Sequence, residues 1–454
     1  MTERLLVVGG DAAGMSAASQ ARRRKNAQEL EIVAFERGEH ASYSACGIPY
    51  LVAGTVARVD SLIARRPDEF RSRQDINVHT ATEVVDIDLS ARRVTVRDGR
   101  GRERVEPFDQ LLVGTGAVPI RPPIPGIDSP GVFGVQTLDD GMAIMKALES
   151  VAPKRAVVVG GGYIGLEMAE ALYERGLQVS LVESAPQPMS VLDPDMGEMV
   201  GGAIRDLGIA LYTDEPVSGF ETRDGWVSAV VTEERSLPAD IVVLGLGVRP
   251  NVSLVEKAGI RIGSAGGVAV DRMMRTSAEE VWAAGDAVEK FHRVSRQPVT
   301  VALGTHANKE GRVAGTNLAG GYAAFPGVLG TAVSKICGVE VGRTGLTERE
   351  AEEAGFRFFG VTVESHTRAS YYPGACPITV KLVVERGSRR LLGAQIVGRE
   401  GAAKRIDVLA TALWNEMQVD ELTNVDISYA PPFSPLWDPV LIAARKAWQT
   451  AEES

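Results

Sequence analysis

A chain of 454 residues is too long for one ordinary hydrophobic core and divides into several domains, while 44% apolar and 24% charged residues give it the make-up of a soluble globular protein. Its formal net charge of -10 is spread without long blocks of one sign, which excludes the concentrated basic face that a nucleic-acid partner needs. Its three cysteines, Cys46, Cys337 and Cys376, lie too far apart for a disulfide framework or a metal site, and together with the absence of a signal-peptide pattern or a membrane-length apolar run they point to the cytoplasm.

In chain order, Arg4-Leu5-Leu6-Val7-Val8 predicts a buried strand that ends in Gly9-Gly10-Asp11-Ala12-Ala13-Gly14 and opens an alanine-rich helix. The helix runs into the basic cluster Arg22-Arg23-Arg24-Lys25, read first as a solvated face. The strand Glu31-Ile32-Val33-Ala34-Phe35-Glu36 follows, and then a solitary cysteine in Ser42-Tyr43-Ser44-Ala45-Cys46-Gly47-Ile48-Pro49-Tyr50. Leu111-Leu112-Val113-Gly114-Thr115-Gly116-Ala117 predicts a strand that leaves its domain through a stiff, proline-rich linker. Arg155-Ala156-Val157-Val158-Val159, Gly160-Gly161-Gly162-Tyr163-Ile164-Gly165, a helix and Gln178-Val179-Ser180-Leu181-Val182-Glu183 then repeat the first pattern. Val281-Trp282-Ala283-Ala284-Gly285-Asp286 is a further buried strand, and from about Phe325 short alternating segments such as Ile378 to Val384 predict an antiparallel sheet, followed by helix over Ala402 to Met417.

Each strand, glycine turn, helix, strand and acid unit suits a nucleotide. A diphosphate must approach backbone N–H groups at a helix N-terminus, which a β-carbon in the turn would prevent, and the closing acid accepts from an adenosine ribose. That assigns Gly9, Gly14 and Glu36 to one nucleotide and Gly160, Gly162, Gly165 and Glu183 to another. The first turn departs from the pattern at Asp11, where the middle glycine is expected.

These landmarks, with Thr115-Gly116-Ala117 and Gly285-Asp286 in order, resemble the pyridine nucleotide-disulfide oxidoreductase family. The resemblance implies an α/β fold with two Rossmann-like nucleotide-binding domains and an α+β C-terminal dimerisation domain. FAD would bind residues 1–117 and 250–325, NAD(P)H residues 118–249, and a homodimer would form through residues 326–454. Thr115, Gly116 and Asp286 would line the flavin site, Tyr163 would gate the nicotinamide pocket and Glu167 would lie near its edge. Glu183 repels a 2′-phosphate, so NADH is preferred over NADPH.

Most of the family carries a pair of redox cysteines; Ser42 to Tyr50 resembles instead the single-cysteine branch, with Tyr43 where phenylalanine is usual. A lone thiol can alternate between thiolate and a mixed disulfide whose second sulfur comes from the substrate. Gly47-Ile48-Pro49 suits a first helical turn, whose dipole favours the thiolate of Cys46. Alanine stands where the peroxide- and oxygen-using members carry a histidine in the first turn, and Tyr429-Ala430-Pro431-Pro432 resembles a segment of the coenzyme A disulfide reductases. By that likeness Tyr429, with Tyr371 or Tyr372, reaches across the dimer to the active-site sulfur, and Arg22, Arg23, Ser42, Arg65, Arg66 and Asn308 border the coenzyme A site. The expected activity is reduction of a low-molecular-weight disulfide or persulfide, coenzyme A disulfide first, with no membrane or nucleic-acid partner. An NADH oxidase and a redox-responsive flavoprotein interaction module are the two competing readings.

Overall fold

The computed structural model describes residues 2–453. Its first sheet is parallel, in the order Val281–Ala283, Gln110–Val113, Glu3–Val8, Leu30–Phe35, Ile76–His79. Leu5, Leu6 and Val7 are fully buried, because a parallel sheet is covered on both faces and reads as an unbroken apolar run. On one side the helix Ala12–Arg22 lies against the helix Gly304–Leu318. The approach is close enough that a β-carbon at Gly311 or Gly315 would come within 2.3 Å of the Ala13 or Ala17 carbonyl oxygen.

The second parallel sheet has the order Ala210–Tyr212, Gln178–Val182, Arg155–Val159, Ile241–Leu244, Val132–Gly134. The strands Ala117–Pro119 and Val248–Pro250 pair where the chain passes between the two sheets. Beyond residue 331 a five-stranded antiparallel sheet runs Ala332–Ile336, Val339–Gly345, Leu391–Gly398, Pro377–Glu385, Phe358–His366. The fold is therefore α/β with two Rossmann-like units and an α+β C-terminal part. The helix expected over 402–417 is shorter: a 3-10 turn at Ala403–Arg405 leads into Ile406–Trp414, which ends at Asn415.

One apolar cluster crosses the whole assembly. It runs from Ile48, Leu51 and Val52 through Leu166, Met168 and Leu172 of the helix Tyr163–Glu174 to Ile336, Val339 and Val341 of the C-terminal sheet. Each fully buried side chain here contributes about 1.5–3 kcal/mol. The segment bearing Cys46 is thereby fixed against both other parts of the chain.

Candidate active site

The two glycine turns are built alike. A β-carbon at Gly14 would lie 1.9 Å from the Gly9 carbonyl oxygen, and one at Gly165 would lie 1.9 Å from that of Gly160, so only glycine lets the helix start against its own strand. At Gly162 the same atom would meet nothing within 4 Å, which leaves the helix mouth open. Glu36 accepts from the N–H groups of Gly10 and Gly38, both at 2.8 Å. Glu183 accepts from Gly161 at 2.6 Å and Ala185 at 2.8 Å. Each acid therefore stands at the rim of its turn.

Asp11 fills the missing-glycine position by tying the turn to the cysteine segment. Its Oδ1 accepts from the Tyr43 N–H at 3.2 Å, and the Gly10 carbonyl accepts from Ser42 at 2.9 Å. Ser42 itself sits in the left-handed region at φ 52°, a conformation held by those bonds and by its own carbonyl, which accepts from Ala64 at 2.8 Å. Burial, with Glu36 and Asp286 nearby, pushes the Asp11 carboxyl up to about 6.

Cys46 lies in the 3-10 turn Ala45–Gly47, which leads directly into the helix Ile48–Ala53 with Pro49 in its first turn. Arg175 fastens this short helix to the end of Tyr163–Glu174, donating from Nε to the Val52 carbonyl at 2.5 Å. Cys46 is the exposed cysteine, whereas Cys337 and Cys376 are half-buried. The Cys337 thiol is pushed up to about 12 by burial and by Glu170, whose carboxylate accepts the Cys337 backbone N–H at 2.9 Å.

The helix start expected to favour the Cys46 thiolate is present, and the groups around the sulfur oppose it. Crowding by protein atoms raises the thiol although the residue opens to solvent, and Glu167, Asp286 and Asp11 raise it further, against one favourable backbone N–H bond. Glu167 is itself raised by burial and accepts from the Ser334 hydroxyl at 2.7 Å. Removing its charge by Glu167→Gln is expected to lower the Cys46 pKa and speed alkylation by iodoacetamide at pH 7. An unchanged rate-against-pH profile would contradict that coupling.

The description "Pyridine nucleotide-disulphide oxidoreductase" matches residues 3–311, and the dimerisation domain of the same name matches 331–439. The chain belongs to this family. It is 38% identical over 445 residues to the NADH oxidase of Methanocaldococcus jannaschii, covering 98% of each chain. It is also 38% identical over 442 residues to the "NAD(P)H sulfur oxidoreductase (CoA-dependent)" of Pyrococcus abyssi, covering 97% of each. Among solved structures, the NAD-dependent persulfide reductase from A. fulgidus superposes with a TM-score of 0.96 at 39% identity, over 99% of this chain and 84% of that one.

The family depends on FAD and a pyridine nucleotide, and the residues present fit a flavin. Asp286, just beyond the strand Val281–Ala283, keeps a buried Oδ1 without a hydrogen-bond partner, a group that needs a donor from outside the chain. Beneath it, Glu310 accepts from the Gly285 N–H at 2.8 Å and pairs with Lys290 at 3.6 Å, both side chains being fully buried. Burial lifts Glu310 to about 7 against the pull of Lys290. Thr115 and Gly116 are held by Asn251: Thr115 Oγ1 donates to its carbonyl at 2.7 Å, and its N–H donates to the Gly116 carbonyl at 2.9 Å. Motif reading missed Asn251, Lys290 and Glu310; the one available signal was the turn-forming Gly247-Val248-Arg249-Pro250 ahead of Asn251. Tyr163 has a buried hydroxyl without a partner and a phenol pushed up to about 12 by burial.

The remaining expected residues fall into groups. Tyr429 and Tyr371 lie on loops joined by the Ala369 N–H donating to the Pro431 carbonyl at 3.1 Å. Tyr371 is 75% exposed and Tyr429 47%, beside the exposed Phe433, Leu436 and Trp437; Tyr372 at 37% lies further in. An aromatic patch of this kind marks an interaction surface. Arg22 is engaged by the fold, its guanidinium donating to the carbonyls of Lys25, Leu30, Gln74 and Asp75. Asn308 is spent between helices, bonded to Ser16 at 2.6 Å and to the Gly304 carbonyl at 2.9 Å. Arg65 donates to Gln74 at 2.9 Å, on the segment that the Ser42 carbonyl draws towards Cys46; Arg66 is exposed and paired with Asp60 at 2.5 Å, and Arg23 is exposed beside Gln20.

Proposed function

We propose that this protein is a homodimeric, cytoplasmic, NADH-preferring flavoenzyme that reduces a disulfide or persulfide of a low-molecular-weight thiol, coenzyme A first, through Cys46. FAD would be held by residues 1–117 and 250–325, with Gly9, Gly14, Glu36, Thr115, Gly116 and Asp286 as contacts. NADH would be held by residues 118–249 through Gly160, Gly162, Gly165 and Glu183. The observation that carries the reading is one accessible thiol on a segment bonded to the first nucleotide turn and fastened by Arg175 to the helix of the second nucleotide unit, with the other two cysteines elsewhere on the chain. The CoA-dependent sulfur oxidoreductase at 38% identity supports the thiol class.

Held by Thr115, Gly116 and Asp286, FAD would supply two-electron redox chemistry between nicotinamide and sulfur. The chain's own work is at the thiol. The Cys46 thiolate attacks one sulfur of the disulfide, forming a Cys46–S–S–R bond and releasing the other half as a thiolate. Two electrons and a proton then restore Cys46 and release the second thiol. Departing thiolate needs an acid, and Tyr371 and Tyr429 of the partner subunit offer phenols that the chain's own fold leaves outward. Tyr429→Phe is expected to slow thiol release by about 10²-fold with flavin reduction by NADH unchanged; equal slowing of both steps would show that the tyrosine only packs. The preference for NADH is supported by Glu183, whose carboxylate at the turn's rim would accept from ribose hydroxyls and repel a 2′-phosphate. Product analysis under NADH tests the whole reading: stoichiometric thiol from coenzyme A disulfide supports it, and NADH loss with oxygen alone would favour the oxidase.

A further inference from the structure

The loop 184–193 leaves Glu183 and is held at both ends. At its near end Pro188 packs on the second glycine turn, where a β-carbon at Gly161 would lie 3.2 Å from Pro188 Cβ, and the Met189 N–H donates to the Gly161 carbonyl at 2.8 Å. Its far end is gripped by the C-terminal sheet. The Asp193 N–H donates to Gln395 Oε1 at 2.7 Å, Gln395 Nε2 donates back to Asp193 Oδ2 at 2.6 Å, and the Glu348 N–H donates to Asp193 Oδ1 at 3.0 Å. Lys381 Nζ stands 3.2 Å from Asp193, 2.8 Å from Asp195 and 3.0 Å from Glu348. Arg343, from the same sheet, donates to the Val191 carbonyl at 2.6 Å.

Asp193, Lys381 and Gln395 are 2%, 5% and 1% exposed, so this is a charged network inside the interface between two parts of the chain. Packing alone would be served as well by apolar side chains of equal volume, because taking such charges out of water is expensive. What the network adds is a fixed position. The carboxylates of Asp193 and Asp195 bracket the start of the helix Pro194–Leu207, so a single ammonium sets both where the loop ends and where the helix begins. The clamped loop is the one that must frame an adenosine ribose at Glu183.

We propose that Lys381 is a positioning residue for the pyridine nucleotide, acting through Asp193 and Asp195 to hold the loop 184–193 against the second glycine turn, so that nucleotide affinity depends on the docked C-terminal sheet. This rests on the reading that the second turn binds NADH, and its effect is on binding and not on sulfur chemistry. In the full-length holoenzyme, Lys381→Met is expected to raise the NADH dissociation constant about tenfold, and the milder Asp195→Asn about threefold, by loss of preorganisation. FAD content, kcat at saturating NADH and the alkylation profile of Cys46 should match wild type. Amide exchange at residues 184–193 should quicken in both variants. If Lys381→Met does not fold, Asp195→Asn carries the test. Should wild type bind NADH and the folded variants bind it equally well, the clamp is overturned and the nucleotide reading stands. Failure of wild type to bind either NADH or NADPH removes the nucleotide reading and the clamp with it.

Discussion

Cys46→Ser is expected to purify with its flavin and to take up electrons from NADH, yet to lose turnover of coenzyme A disulfide by on the order of 10⁴-fold or more, as happens when a covalent nucleophile is removed. Flavin retention is expected because the glycine turn, Glu36, Asp286 and the Asn251-held turn share no hydrogen bond with the thiol side chain. Loss of turnover is expected because the other cysteines are less exposed than Cys46. Cys337 is half-buried in a left-handed turn at φ 51° with its thiol raised to about 12, and Cys376 donates its thiol to the Gly374 carbonyl at 3.4 Å. Steady-state assays with NADH and coenzyme A disulfide, read beside the visible spectrum, check both halves. Wild-type turnover in this variant would remove the relay.

Gly14→Ala and Gly162→Ala should separate the two nucleotide turns. At Gly14 the new methyl would sit 1.9 Å from a backbone oxygen and the turn must open, at a cost of at least about 1–3 kcal/mol for a forced fit. The expected product is protein with little or no bound FAD and a lowered melting temperature. At Gly162 the methyl meets no protein atom within 4 Å, so the fold and the flavin should persist while the methyl occupies the mouth where a diphosphate must come close. A rise in the NADH dissociation constant of about tenfold or more is expected there, with FAD stoichiometry intact. Fluorimetric FAD content and NADH titration distinguish the outcomes; the reverse pattern would contradict the assignment of the turns.

Much of this could be read from local patterns, since the two strand, turn, helix and acid units are contiguous in sequence and their physics is that of a helix mouth. The solitary cysteine before Gly47-Ile48-Pro49 was legible for the same reason. What sequence could not give were the long-range charges. Lys290 and Glu310 are twenty residues apart and carry no motif, and the Lys381 network draws on positions 193, 195, 348 and 395, which only the packed sheet brings together. The surroundings of Cys46 show the same limit: the helix start is visible in the sequence, but the carboxyl of Glu167, which raises the thiol, arrives from another sheet's helix. The four backbone carbonyls that receive the Arg22 guanidinium come from Lys25, Leu30, Gln74 and Asp75, two of them some fifty residues away and beyond any local pattern.

The central claim is that Cys46 borrows its second sulfur from a small thiol. Protein with Cys46 as the free thiol, incubated with coenzyme A disulfide, alkylated, digested and weighed, should carry one coenzyme A in disulfide linkage on the Cys46 peptide per chain, and NADH should remove it. Thiol release from coenzyme A disulfide with Cys46 unmodified, or with the adduct on Cys376 instead, would contradict the account.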